Sequence, residues 1–216
     1  DPYWEDATLA VRANQAQPIW IEFRIPADAK PGDYAGELRV TGGERPVTLP
    51  VKLHVWDFAV PQERHLSMIN WWRFPGPGFD KRIKPATEEY WQLLSRFCEF
   101  AVEHRQTDIN ASLQLMENAG YIEHDYMDNM ERFAETAFKA GIRRIILYSV
   151  GRKSAYLLDP KSRVVPHEAS FERLAAIEKI AQRRGWQGRF GVSIMDEPFV
   201  FHEESYAQLV DRVQET

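Results

Sequence analysis

A chain of 216 residues that is 44% hydrophobic and 12% aromatic has enough apolar content for a packed core, which excludes a disordered segment and leaves room for one large domain or two smaller ones. Its formal charge of −5, with Lys and Arg scattered along the chain, gives no footprint for nucleic acid or an anionic membrane. No apolar run approaches the roughly 20 residues that cross a bilayer, so no membrane span is expected, and the opening Asp1-Pro2-Tyr3-Trp4-Glu5-Asp6 lacks the regions of a signal peptide.

From Pro18 to Val60 the pattern is all-β. Ile19 to Ile25 alternates with period two, Tyr34 to Val40 does so again, and Val47 to Val55 repeats it. Turn clusters stand between them, at Pro26 to Asp33 and at Thr41 to Pro46. Three antiparallel strands bury too little to make a sound domain, so residues 1–61 are expected to be the C-terminal part of a β-sandwich domain whose earlier strands precede residue 1.

Past Pro61 the period changes. Leu66 to Trp72 predicts a short strand, followed by a Pro/Gly-rich loop from Arg73 to Phe79. Thr87-Glu88-Glu89 then caps a helix with Tyr90, Leu93, Leu94, Phe97, Phe100 and Ala101 at helical spacing. A second unit runs from a strand at Thr107 to Asn110 to a helix from about Asp125 to Ala140, closed by Gly141. Arg144 to Val150 is the third strand, and Ser170 opens the third helix, with Leu174, Ile177, Ile180 and Ala181 on one face. The fourth strand is Gly191 to Met195, and Ser205 to Val213 begins the fourth helix.

Strands alternating with helices argue for a parallel βα array. An open doubly wound sheet remains one option. No Gly-rich phosphate loop follows the first strand, and acids sit on a strand tip, so a barrel is preferred. The expected fold class is therefore α/β with an all-β N-terminal part: the end of a β-sandwich, then the first half, four βα units, of a TIM-type (β/α)8 barrel over residues 62–216. Such a half barrel leaves backbone groups of its outer strands unpaired, so self-association through open barrel edges is the expected behaviour.

The chain is organised around Arg189 to Pro198, which reads as a buried strand ending in Asp196 and Glu197 before a proline that cannot extend a ladder. Carboxylates at the C-terminal tip of a parallel strand stand where such barrels place their chemistry. The alternative is a surface turn with acids near the positive end of the next helix. Successive strand residues point to opposite faces, so the two acids converge on one ligand only if the strand is already breaking at Asp196. In a partly buried mouth, neighbouring carboxylates push each other's proton affinities apart and leave one as a general acid, which glycosidic cleavage needs.

Aromatic residues at other strand ends fit a sugar: Trp71, Trp72 and Phe74 after the first strand, Tyr148 at the third, Phe199 and Phe201 after the fourth. Trp71 and Tyr148 read equally well as core. Asn70 and Asn110, each at a strand end, can bond sugar hydroxyls or serve as turn residues. The histidines carry no metal-ligand spacing, Glu123-His124-Asp125 reads as a loop with a helix cap, and no serine elbow is present. No metal and no cofactor is expected. The single Cys98 lies on an apolar helix face, as a buried thiol would, and Arg183-Arg184 sits where a helix end favours cations.

Three stretches together carry a resemblance. Pro26-Ala27-Asp28-Ala29-Lys30-Pro31-Gly32-Asp33-Tyr34-Ala35-Gly36, Leu49 to Phe58, and Asp196-Glu197-Pro198 resemble glycoside hydrolase family 123 and the related DUF4091 proteins. The resemblance implies a β-sandwich before a (β/α)8 barrel and an exo-acting β-N-acetylgalactosaminidase working by substrate-assisted retention. By the same resemblance, Asp196 orients and polarises the 2-acetamido group whose oxygen is the nucleophile, and Glu197 protonates the leaving oxygen and later activates water. The implied partner is a glycan ending in N-acetylhexosamine. Two other readings stand beside it: a conventional retaining glycosidase with its nucleophile on a later strand, and a carbohydrate-binding or structural module in which the acid pair is dispensable.

Overall fold

The computed structural model describes residues 12, 14–42, 45–70, 86–112, 123–148, 150–154 and 159–216, with backbone alone at 112, 123–128 and 153. Two compact units meet at Glu63 and Arg64 in the sequence. In the first, β1 (Gly32–Val40) and β2 (Val47–Val55) pair antiparallel. Their register sets Tyr34 against Leu53, Leu38 against Leu49 and Val40 against Val47, while Asp33 meets His54 and Ala35 meets Lys52 on the other face. Period-two alternation thus produces a ribbon with one apolar and one polar face. On the polar face His54 Nδ1 and Asp33 Oδ1 share a hydrogen bond of 2.5 Å.

The strand expected at Ile19 to Ile25 does not form. These residues have no ladder partner among the described residues, and Ile19, Trp20 and Phe23 are 64%, 86% and 56% exposed. Alternation says which side chains a strand would bury; it becomes a strand only where a neighbour offers its N–H and C=O groups.

The second unit is mixed α/β. In chain order it contains α1 (Glu88–Glu103), β3 (Asp108–Ser112), α2 (Glu123–Lys139), β4 (Arg144–Tyr148), β5 (Gly151–Lys153), β6 (Val164–Pro166), α3 (Glu168–Arg184), β7 (Phe190–Val192), a 3-10 turn at Val200–His202 and α4 (Glu203–Gln214). β3, β4 and β7 lie side by side, all parallel and in chain order without reversal. Of the strand predicted at Leu66 to Trp72, the described residues Leu66 to Asn70 keep one parallel bridge, Ile69 to Asp108. Buried Thr107 holds it: its Oγ1 accepts from Met68 N at 2.7 Å, and Thr107 N and Asp108 N both donate to the Met68 carbonyl.

Helices α1, α2 and α3 stop in the same way. Gln106 N returns to Ala101 O, Ile142 N to Ala137 O, and Trp186 N to Ala181 O. The turning residues Arg105, Gly141 and Gly185 have φ of 66°, 103° and 68°. This is the Schellman closure, which satisfies carbonyls the helix leaves open and points the chain back toward the sheet. Arginines then bind the joints: Arg64 donates to Val102 O and Gln106 O, and Arg189 to Ile142 O and Arg143 O. Arg144 pairs with buried Asp108 at 2.7 Å, which raises the guanidinium's proton affinity.

The helices keep their predicted apolar faces, but α3 opens at Glu168 after His167 rather than at Ser170, and α4 opens at Glu203 rather than at Ser205. Thr87 caps α1 by accepting from Tyr90 N, and Leu94, Cys98 and Ala101 are fully buried along it. Burial pushes the Cys98 thiol up to about 12, so it is chemically silent. α1 and α2 are tied by Arg132, which pairs with Glu88 and lies over Trp91. Arg183 and Arg184, beyond favouring their helix end, reach across to Glu131 and Glu135 of α2. Buried Ile145 and Leu147 alternate with half-buried Ile146 and Tyr148 along β4, so the sheet has one closed face and one more open face.

The sequence pattern showed no sign of the β5–β6 hairpin, which pairs Gly151 with Pro166 and Lys153 with Val164. It is short and is held by α4: Val164 N donates to Ser205 Oγ, which donates to His202 O. At Gly151 a Cβ would lie 2.5 Å from Leu209 Cδ2, 3.0 Å from Val164 Cγ1 and 3.3 Å from Ile194 O.

Gly151→Ala should therefore cost about 1–3 kcal/mol by overpacking, read as a lower midpoint in chemical denaturation. An unchanged midpoint would show that the hairpin and α4 are free to separate. The Glu135 carboxyl is held below its ordinary range by Lys139 first and Arg184 next. A depressed carboxyl contributes stability above the ordinary glutamate range and loses it as pH falls through the folded value. Glu135→Gln should accordingly flatten the acid limb of a stability–pH curve; parallel acid limbs for wild type and variant would remove this pair from the ledger.

Candidate active site

The C-terminal ends of β3, β4 and β7 lie together because the strands are parallel and in register, with Asn110 opposite Ile146 and Ile146 opposite Gly191. Tyr148 follows Ile146 by one strand repeat, so Asn110 and Tyr148 share the more open face of the sheet. Asn110 is buried, and its Nδ2 donates to the Asn70 carbonyl at 3.1 Å. These two sequence candidates are thereby brought together, through the amide of one and the backbone of the other. The Asn70 side chain is exposed, and Tyr148 is half-buried. Trp71, Trp72 and Phe74 lie outside the described residues.

The strand that leads to the acid pair is shorter and less buried than its sequence reads. β7 covers Phe190 to Val192 at intermediate burial, and Asp196 and Glu197 follow in an exposed bend. The reason is the neighbour. Ser193 N still donates to Leu147 O at 2.7 Å, but the Ile194 carbonyl is taken by Gly151 N at 2.9 Å, where the chain has left β4 for the hairpin. With no partner strand continuing alongside, the ladder ends before Met195.

Glu197 has φ of 49°, in the left-handed region that a residue with a Cβ enters at a cost of about 1 kcal/mol. Such a conformation persists where its surroundings over-determine it. Here the Gly151–Ile194 bond holds the segment before it, and Phe199 N, donating to His202 Nδ1 at 3.1 Å, holds the segment after it. Strand alternation, which would send successive side chains to opposite faces, has therefore ended by the time the chain reaches the two carboxylates. Two exposed carboxylates at one turn can accept hydrogen bonds from a ligand and exchange protons with it.

Phe199 and Phe201 follow immediately, with near-parallel rings 5.4 Å apart at 3°, and both meet the ring of His202. His202 is fully buried. Sequence reading passed over it; its only signal was a histidine directly before the acidic first turn of α4, Glu203 and Glu204. Glu123, His124 and Asp125 form the start of α2 rather than a loop. Among the described residues no three His, Cys, Asp or Glu side chains gather as a metal-holding group, and no helix is long and apolar enough to cross a membrane.

A comparison with curated proteins finds no match to the chain. A family model does match, over residues 1–42, that of the Glycoside hydrolase 123 N-terminal domain. The matched stretch includes Pro26 to Gly36 and all of β1 and ends at Gly42, short of β2 and of the acid pair. Over residues 1–42, then, the chain is similar to the N-terminal domain of glycoside hydrolase family 123.

Proposed function

We propose that this chain is part of a glycoside hydrolase, an exo-acting β-N-acetylgalactosaminidase that retains configuration through its substrate's own 2-acetamido group. The observation that carries the reading is the adjacent, exposed pair Asp196 and Glu197 at the C-terminal exit of β7, set in a turn with Glu197 left-handed. The match of residues 1–42 to a glycoside hydrolase domain supports it.

In this mechanism Asp196 accepts a hydrogen bond from the acetamide N–H and makes its carbonyl oxygen more nucleophilic. That oxygen attacks the anomeric carbon while the Glu197 carboxyl gives its proton to the leaving oxygen. The resulting cyclic intermediate is opened by water, whose proton returns to Glu197. A substrate that brings its own nucleophile needs no second carboxylate across the sugar ring, so two neighbouring acids suffice. Asn70, Trp71, Trp72, Asn110 and Tyr148 are proposed to bind the sugar around them.

The fold proposed with it has two parts. Residues 1–61 close a β-sandwich, and residues 62–216 are the first four βα units of a (β/α)8 barrel. The amphipathic β1–β2 ribbon and the parallel sheet in unbroken chain order both support that reading.

The test is hydrolysis of p-nitrophenyl β-N-acetylgalactosaminide, its glucosamine epimer and the plain galactoside by the full-length protein. Activity confined to acetamido sugars is expected, and silence on all three would return weight to a binding or structural role. Glu197→Gln should cost about 10²- to 10⁴-fold in rate as a lost general acid, and an unchanged rate would remove Glu197 from the mechanism. Asp196→Asn should slow acetamido sugars selectively; an equal loss on a galactoside would contradict the acetamide role.

A further inference from the structure

We propose that His202 is a positioning residue for Glu197, acting through the backbone of Phe199; the claim rests on the reading of Glu197 as proton donor. Among the described residues His202 makes no hydrogen bond to either acid. Its Nδ1 accepts from Phe199 N at 3.1 Å, its ring is fully buried against Phe199 and Phe201, and its carbonyl accepts from Ser205 Oγ. Ser205 Oγ in turn accepts from Val164 N in the hairpin whose other strand holds Ile194 O through Gly151 N. Both ends of the segment that carries the acids are thus fixed to one block made of the hairpin and α4.

The hydrogen bond defines the ring's state. A backbone N–H only donates, so Nδ1 must be the bare nitrogen, and the neutral ring carries its proton on Nε2. Nε2 is buried and has no partner among the described residues. A leucine or phenylalanine would fill the same apolar site without that buried donor, so packing alone does not account for an imidazole here. What the imidazole adds is an acceptor for Phe199 N. Between that nitrogen and Glu197 stands only Pro198, whose ring fixes its own φ. Releasing Phe199 N therefore frees the left-handed turn at Glu197 to relax, and the carboxyl leaves its place over the leaving oxygen. A displacement of about 1 Å at a reacting group costs up to about a hundredfold in rate.

The test uses the full-length protein and two amide variants of similar polarity. In His202→Asn the side-chain oxygen sits where Nδ1 was and can accept from Phe199 N; in His202→Gln the acceptor is carried further out, to the place of Nε2. The Asn variant should keep kcat on the aryl N-acetylhexosaminide within about threefold, and the Gln variant should lose about ten- to a hundredfold in kcat with KM little changed. His202→Leu should follow the Gln variant, and if it fails to fold, the Asn and Gln pair still decides. Amide hydrogen exchange at Phe199, read without any substrate, should be slow in wild type and the Asn variant and fast in the Gln variant.

Equal kcat for Asn and Gln variants in an active enzyme would overturn the positioning role. Equal exchange at Phe199 in both would overturn the hydrogen bond itself. A wild type inactive on every glycoside would instead sink the proposed function, and would do so whatever the exchange data show.

Discussion

At the ends of α1, α2 and α3, a residue with positive φ turns the chain so that an alanine carbonyl from the last helical turn recovers a backbone donor. Helices leave carbonyls open at this end, and a carbonyl without a donor is costly wherever packing shields it from water. The same closure at Ala101, Ala137 and Ala181 fixes the angle at which each chain segment leaves its helix for the sheet. Arg64 and Arg189 then donate to carbonyls at two of these joints, adding charge-assisted bonds near helix ends where the dipole is negative. The register of β3, β4 and β7, and hence the alignment of their far ends, follows from joints made at their near ends.

That division of labour explains which parts could be read from sequence. Helix faces were legible because Leu94, Ile177 and Ile180 repeat at the helical period and are buried as their spacing requires. Gly141 announced one of the stops; Arg105 does the same work with a side chain that usually avoids it, and carried no signal. Strand lengths were not legible, because a strand is defined by its neighbour. Among the described residues Ile19 to Ile25 has the alternation and no ladder, Leu66 to Asn70 keeps one bridge, and β7 stops when the chain beside it leaves for the hairpin. The hairpin itself rests on a contact between Gly151 and Leu209, residues far apart in the chain.

At the site, residue type was legible and environment was not. Asp196 and Glu197 stand out beside Pro198, but their exposure, and the left-handed backbone at Glu197, come from bonds to Gly151 and His202 that no local pattern encodes. Asn110 was picked as a strand-end polar group. Its buried amide spends a donor on the Asn70 backbone, joining the first segment of the unit to the sheet.

Cys98 is the single cysteine of these 216 residues, fully buried, with its thiol pushed up to about 12. A thiol that stays protonated and enclosed takes no alkylating reagent in the folded state. Within this sequence the molecule is therefore a silent background for a spin label or fluorophore. Val200, 87% exposed and next to the segment that bears both acids, is an address where one engineered thiol would report on that turn alone.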